Sequence, residues 1–450
     1  MPADRAAANR RFPPVSLFGA MNTAISGLNA QSVAFGNISD NVANSQTVGF
    51  KRIDTSFINF LTSSSAMSNS PGSVQARPDY RNTVQGTIAQ SQNPLAMGIV
   101  GQGFFSVSRA ETVGANDVAF SPQKFYSRAG DFQMDRNGFL VNGAGDYLNG
   151  WTVDAVDGSV DRSAVAPIRV TQTVYNPQPT SEVTLSANLP STPANDDPVS
   201  AQINVYDALG NDHVVTLNWT RTAANDWTVQ VNVPNDIVSA NRGTARVAFG
   251  PTVSGNPVPQ GTVGLLGNPT GSVTAGAYTA DEPATLTFNA NFGSGVQTIT
   301  LNLGTFGQSG GVTQYAGTDF TLRGINQNGV PPGSFAGVST TQAGDIQVTY
   351  DNGQSRTIAR APVVTFNDPN SLQRQDGQAF TVTLQSGDPL TQDARTNGAG
   401  GIVVNSVENS NVDIANEFTR LIVTQRAYSA NTKMVTTADE LLQQTLDMKR

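Results

Sequence analysis

Residues 416–450 read NEFTRLIVTQRAYSANTKMVTTADELLQQTLDMKR, a run without glycine or proline in a chain of 450 residues that holds 43 glycines and 24 prolines. Stepping back by sevens from Leu442 meets Val435, Tyr428, Leu421, Ile414 and Val407, an apolar row at heptad spacing. Such a row predicts a long helix with a covered face. The start of the chain offers a partner: Met21, Leu28, Phe35 and Val42 make one seven-residue row and Leu17, Ala24, Gln31 and Ile38 a second, from about Leu17 to Asn44. Each helix would be marginal alone in water, because most helical stability comes from burying an apolar face. Pairing the two ends makes everything between them an excursion that starts and finishes at one place, a nested architecture. Polar Gln425, Thr432 and Asp439 interrupt the C-terminal stripe, so spacing alone also allows two core helices of an α+β domain or a homodimeric zipper.

The middle reads as β-structure. FYSRAGDFQMDRNGFLVN (125–142) predicts a hairpin in which Phe132 and Met134 alternate before Asn137-Gly138, and Phe139 and Val141 after it; Asn-Gly would supply two positive φ angles. Turn dipeptides recur at Asp157-Gly158, Gly210-Asn211 and Asn352-Gly353, and LTFNANFGSGVQTITLNLG (286–304) suggests another strand pair. Met1 to Pro14 reads as a polar tail, and Ser63 to Pro71 as a linker. Pro-rich sequence near Pro177 to Pro198 and Gly/Asn-rich sequence near 310–333 mark the edges of an insertion. The expected fold class is multi-domain and mainly β, with an α-helical coiled-coil stem made by the two terminal helices. Its parts are a stem of 1–62 and 404–450, a proximal β-domain of 72–167 and 328–400, and an inserted outer β-domain of 168–327.

Only 13% of residues are charged, about half the usual share, which suits an extracellular surface. The formal net charge is -8; the first 60 residues are net +2 and 405–450 net -1, leaving -9 between them. Nucleic acid is therefore not the expected partner. Cysteine is absent, so no disulfide, thiol catalysis or thiolate metal site is available. Arg5, Arg10 and Arg11 precede no apolar run of signal-peptide length, and no stretch reaches the roughly 18 to 20 apolar residues of a membrane span.

No catalytic, cofactor-binding or metal-ligating set emerges. GIVGQGFF (98–105) has glycines but no following helix, as a phosphate loop would need. His213 is the single histidine and reads as a hydrogen-bonded strand residue. DRNG (135–138) and DALGND (207–212) lack the glutamate that completes a calcium loop and read as turns. Glutamate is rare between the terminal segments (Glu111, Glu182, Glu282), so no local pattern picks out a glycosidase acid or base.

AMNTAISGLNAQSVAFGNISDNVANSQTVGFKR (20–52) resembles the N-terminal signature of bacterial flagellar rod, hook and hook-associated axial proteins, with Ala43, Asn44, Thr47, Gly49, Phe50 and Lys51 in the motif places. NVDIANEFTRLIVTQRAYSANTKMVTTADELLQQTLD (411–447) resembles the matching C-terminal helix, with Gln425 and Arg426 at its core. GQGFFSV (101–107), FYSRAGDFQMDRNGFLVNGAGDYLNGW (125–151) and VYDALGNDH (205–213) are similar to the hook subunits of that family, while residues 220–325 match only loosely. The resemblance implies a structural subunit, not an enzyme, with no cofactor and no membrane insertion. Copies would form a flexible curved tube that passes torque from rod to filament, outside the cell, after export by the flagellar type III apparatus without a cleaved signal. Implied partners are further copies, the distal rod protein, the hook cap scaffold and the hook-filament junction protein. The alternatives are a distal rod or junction subunit and, more remotely, an extracellular adhesin or hydrolase. The expected helix contacts are Leu28, Phe35, Ile38 and Val42 with Ile414, Phe418, Leu421 and Tyr428.

Overall fold

The computed structural model describes residues 17–65, 68–114, 118–154, 157–193 and 197–448; the expected tail Met1–Pro14 lies outside them. The chain forms two compact units. One takes in the chain up to Thr171, Gly337–Val348 and Ser355–Arg450, and the other Gln172–Ala336 with Thr349–Gln354.

The first unit contains both terminal helices, Leu17–Ala43 and Ile414–Asp447, which pack on each other. The C-terminal helix starts where Asp413, with extended backbone, accepts from the amides of Ala415 (2.9 Å) and Asn416 (3.2 Å), capping two of the donors that a helix start leaves free. This start corrects the heptad row. Val407 belongs to the strand Ser406–Glu408 and pairs with Ala89, so the helical part of the row begins at Ile414.

Ile53–Ser65 and Ser68–Tyr80 form a long antiparallel hairpin, paired from Ile53 opposite Tyr80 to Ser65 opposite Ser68 with register shifts on either side of Leu61. Of the stretch expected to be a linker, residues 63–65 and 68–71 belong to the strands of this hairpin, and the other two residues lie outside the described ones. The hairpin's main-chain ladder needs no apolar alternation, and the N-terminal helix anchors it with polar side chains. Thr23 donates to the Gly72 carbonyl (3.0 Å), Ser26 accepts from the Val74 amide (3.1 Å), and Asn37 donates to Thr55 (2.9 Å).

The rest of the unit is a sheet around Phe104–Val113, which pairs with Asp146–Val153, Phe125–Ser127 and Val363–Thr365. Phe104, Tyr126, Val364, Phe366, Leu372 and Phe380 form a buried cluster on it. The Met97–Val100/Gly401–Val404 and Ile88–Gln90/Ser406–Glu408 pairs tie the outgoing and returning chain together. Between Met97–Val100 and Phe104–Val113, Gly101 and Gly103 make a strand-to-strand turn with no helix after it.

The hairpin expected around Asn137-Gly138 is present, with Gln133 opposite Val141 and Met134 opposite Leu140, but its turn is different. Only Gly138 has positive φ (85°). Asp135 Oδ1 accepts from the amides of Asn137 (2.9 Å) and Phe139 (2.8 Å), and the Gly138 amide reaches the Asp135 carbonyl at 3.1 Å. An aspartate thus organises a longer loop in which glycine alone adopts the left-handed conformation. The loop at Asp207–Asn211 repeats it: Asp207 Oδ1 accepts from Leu209 (2.9 Å) and Asn211 (2.8 Å), and Gly210 has φ 83°. In both places the carboxylate of the calcium-like stretch is engaged by turn amides.

The second unit is a β-sandwich. Val199–Tyr206, Asp212–Ala223, Asp226–Asn232, Asn241–Phe249 and Val263–Gly267 form one antiparallel sheet, and Pro283–Asn291, Val296–Thr305, Glu182–Asn188 and Thr321–Gln327 carry the other. Alternation builds its core. Val215, Leu217 and Trp219 point inward, as do Trp227, Val229 and Val231, while Thr216, Asn218, Thr228 and Gln230 face out. His213 lies in a strand, 3.3 Å from Asp207 and stacked on Phe292 with ring centroids 3.9 Å apart.

Candidate assembly interface

The N-terminal helix buries small residues and comes close to the C-terminal helix at Gly27. Ala24, Ala30, Ala34 and Ile38 are the buried apolar positions of the N-terminal helix, and a Cβ added at Gly27 would come within 3.0 Å of the Asn431 side chain. Asn41 lies against Glu417 at the other end, its Nδ2 donating to Glu417 Oε2 at 3.1 Å. Residue numbers rise along one helix as they fall along the other, so the pair is antiparallel. Small side chains let the axes approach closely, and the large apolar residues are left elsewhere.

Of the expected contacts, Ile38 is buried and Leu28, Val42 and Leu421 are partly covered. Phe35, Ile414, Phe418 and Tyr428 are 40–51% exposed. Phe35 and Tyr428 share the lining of one open groove between the helices, with Gln31, Ser32, Thr424 and Gln425. Phe18, Ile25, Val33, Ile422, Val423, Met434 and Leu441 are exposed as well. The two helices therefore cover one seam and leave bare apolar faces.

Below the seam, both chain ends are fastened by buried charge. Glu408 Oε1 accepts from Lys51 Nζ (2.6 Å) and the Gly86 amide (2.7 Å), and Oε2 from Arg128 Nη1 (2.9 Å). The Glu408 carbonyl accepts from the Gly49 amide at 2.7 Å. Lys51 also donates to the Val84 carbonyl (2.7 Å), and Arg128 to those of Ile99 (3.0 Å) and Gly101 (2.6 Å). Burial, with the Arg128 charge beside it, pulls the Lys51 ammonium down to about 8, against the opposing pull of Glu408.

A second network lies at the start of the C-terminal helix. Asn41 holds the Ile53 backbone from both sides, at 2.8 and 2.9 Å. Glu417 accepts from Arg420 (3.3 Å), and Arg420 also pairs with Asp54, which Arg81 reaches at 3.0 Å. Burial raises the Asp54 carboxyl, but the hydrogen bonds from Arg420 and Arg81 outweigh it and hold the group below its ordinary range. Asn411 accepts from the Arg52 amide (2.7 Å) and donates to the carbonyls of Arg81 (3.2 Å) and Val84 (2.9 Å).

The motif residues after the N-terminal helix shape this anchor. Asn44 donates to the Asp40 carbonyl (2.9 Å) and Thr47 to Asn44 Oδ1 (3.2 Å), closing the helix end, where Ala43 is the exposed last helical residue. Phe50 is buried under the Arg374 guanidinium, 4.3 Å from its ring centre. Gly49 has φ 72°, and a Cβ there would lie 2.4 Å from the Ala129 amide nitrogen. Gly49→Ala is expected to cost about 2 kcal/mol or more through backbone strain and backbone overlap, read as a lower thermal midpoint of the full chain. Gln425 and Arg426 lie on the exposed face of the C-terminal helix.

Apolar periodicity pointed to neither Arg128 and Glu408 nor Asn41 and Glu417. The available signal was an isolated charge in an uncharged stretch, as Glu408 is within residues 396–412. Among the described residues no group of three or more His, Asp or Glu could hold a metal, and no helix is long and apolar enough to cross a membrane.

Three family descriptions match along the chain: "Flagella basal body rod protein" at 21–51, "Flagellar basal body protein FlaE D2 domain" at 175–330 and "Flagellar basal body rod FlgEFG protein C-terminal" at 404–448. The flagellar hook protein FlgE of Brucella suis is 31% identical over 442 residues, covering 97% of this chain and 100% of that protein. The FlgE of Salmonella typhimurium is 26% identical over 443 residues, covering 95% and 99%. A crystal structure of Helicobacter pylori flagellar hook protein FlgE2 aligns with a TM-score of 0.46 at 13% identity, over 71% of this chain and 100% of that one. With both anchored ends inside matched segments and near-complete coverage of relatives above 30% identity, the chain belongs to the flagellar hook protein FlgE family.

Proposed function

We propose that this chain is the structural subunit of a flagellar hook, copies of which polymerise into a curved, flexible tube that passes torque from rod to filament. The bare apolar faces of the antiparallel helix pair carry this reading. Phe18, Phe418, Ile422, Val423 and Met434 are large, exposed and carried on helices, and burying them against the same faces of neighbouring copies would gain on the order of 25 cal/mol per Å². The helix pair would act as a coiled-coil stem on the inside of the tube. From it the chain would project as a proximal β-domain and an inserted outer one of about 168–327.

The outward Thr, Asn and Gln of the sandwich strands suit contacts that exchange easily as the tube bends, since uncharged hydrogen-bonding groups trade protein for water partners at little cost. The ends of the tube would meet the distal rod protein, the cap scaffold and the hook-filament junction protein. Export by the type III apparatus without a cleaved signal fits a cysteine-free chain whose helices are marginal alone. The role is assembly, with no catalysis, cofactor or membrane insertion.

Deleting either terminal helix, 17–43 or 414–447, is expected to abolish polymerisation and to leave a soluble β-core that unfolds cooperatively. The check is sedimentation and electron microscopy beside a melting curve. A shortened chain that still builds tubes contradicts the proposal, and a straight tube from the full chain favours a rod subunit instead.

A further inference from the structure

Glu408 is the point where four segments of the first unit meet. Its side chain and carbonyl accept from Gly49 and Lys51 after the N-terminal helix, from Gly86 after the hairpin, and from Arg128 in the sheet region. It precedes the C-terminal helix by only five residues, Asn409 to Asp413. The chain leaving the N-terminal helix and the chain entering the C-terminal helix thus both run beside this carboxylate.

The charges there do not balance. One carboxylate faces two cations, and all three side chains are 1% exposed. Lys51 is met by Glu408 from the strand Ser406–Glu408, by Arg128 from the stretch after Phe125–Ser127, and by the Val84 carbonyl from the loop after the hairpin. Arg374, from Gln373–Gln375, donates to the Lys51 main-chain carbonyl at 2.8 Å, and its own charge is supported by Asp40. The neighbouring Arg52 and Arg81 pair with Asp54, at 3.4 and 3.0 Å. A buried excess charge is costly unless it is discharged.

We propose that Glu408 is the positioning residue of the joint between the helix pair and the sheet region, and that the proton on Lys51 sets how tightly this joint closes. The inference rests on the hook-subunit reading, because its consequence is felt in the polymer. With Lys51 protonated, the joint holds one cation more than its carboxylate can balance. Once Lys51 loses the proton, Arg128 and Glu408 remain as a matched pair, and the neutral amine still donates to Val84 and Glu408.

The sign follows from the lowered Lys51 value. Closed, Lys51 releases its proton near 8; opened to water, it does so near 10.5. Between the two the open form binds more protons, so the closed joint is favoured increasingly as pH rises through that window. Below it the burial penalty on the charged amine is felt in full.

The test compares full-length wild type with Lys51→Met, assembled into polymer, by thermal dissociation from about pH 7 to about pH 10. Wild type is expected to gain on Lys51→Met above pH 8, by up to roughly tenfold in the closing equilibrium per pH unit. A constant difference between the two overturns the proposal. Should Lys51→Met not assemble, wild type alone decides. Hydrogen exchange at the Gly49 and Gly86 amides, corrected for intrinsic rate, is expected to slow across the same window, and unchanged protection overturns the proposal. If wild type forms no polymer, the hook reading fails, and the same exchange measurement on the monomer still decides the joint.

Discussion

Phe418→Asp is expected to leave the single chain folded and to stop polymer growth. Phe418 is 51% exposed, one residue beyond Glu417, which is fully buried, so it stands beside the seam and not in it. In the isolated chain an aspartate there reaches water, and the change in stability should stay within about 1 kcal/mol. Between copies, the substitution removes an aromatic anchor and places a carboxylate in an apolar contact, a cost of about 3 kcal/mol or more at each interface. That corresponds to over a hundredfold in the affinity of each added subunit, and addition is repeated along the tube. Ala30→Asp is the matching control. Ala30 is 3% exposed, so a carboxylate there should lower the melting of the monomer as well. Circular dichroism melting beside polymerisation of both variants separates the two faces; a monomer equally disturbed by both substitutions would contradict this division.

Glu408→Ala is expected to destabilise the first unit by about 3–5 kcal/mol, because it leaves Lys51 and Arg128 buried without their counter-ion and the Gly86 amide without its acceptor. Lys51→Met should cost much less at neutral pH, since it leaves Arg128 and Glu408 as a balanced pair. The asymmetry between two residues of one ion pair is the diagnostic result. Chemical denaturation of both variants reads it, and equal losses would mean that the cluster acts through packing alone.

The sequence showed which segments are helices and sheets more clearly than it showed how they touch. Heptad counting found both terminal helices because Phe35, Leu421 and Tyr428 are large and periodic. It ranked contacts by size and gave no sign of the close approach at Gly27, where an added Cβ would come within 3.0 Å of Asn431, or of the burial of Ala30 and Ala34. A glycine permits the closest approach of two helices and leaves no trace in an apolar heptad. The Ser-rich stretch after Leu61 looked like a linker because a polar hairpin is held by its main-chain ladder and by side chains from another element, neither of which leaves a periodic trace. The turn at Asn137-Gly138 was recognised by its dipeptide, but Asp135, two residues earlier, sets its geometry. The ion cluster joins Lys51, Arg128 and Glu408 from distant parts of the chain, and only the motif around Lys51 and the isolated charge of Glu408 hinted at it.

Electron cryo-microscopy of tubes grown from the full-length chain tests the central claim most directly. The account predicts helices 17–43 and 414–447 of each subunit side by side and antiparallel, Gly27 against Asn431, with Phe418 and Tyr428 buried by neighbouring copies. Tubes in which the two helices of a subunit lie apart, or in which those aromatic side chains still face solvent, would contradict it.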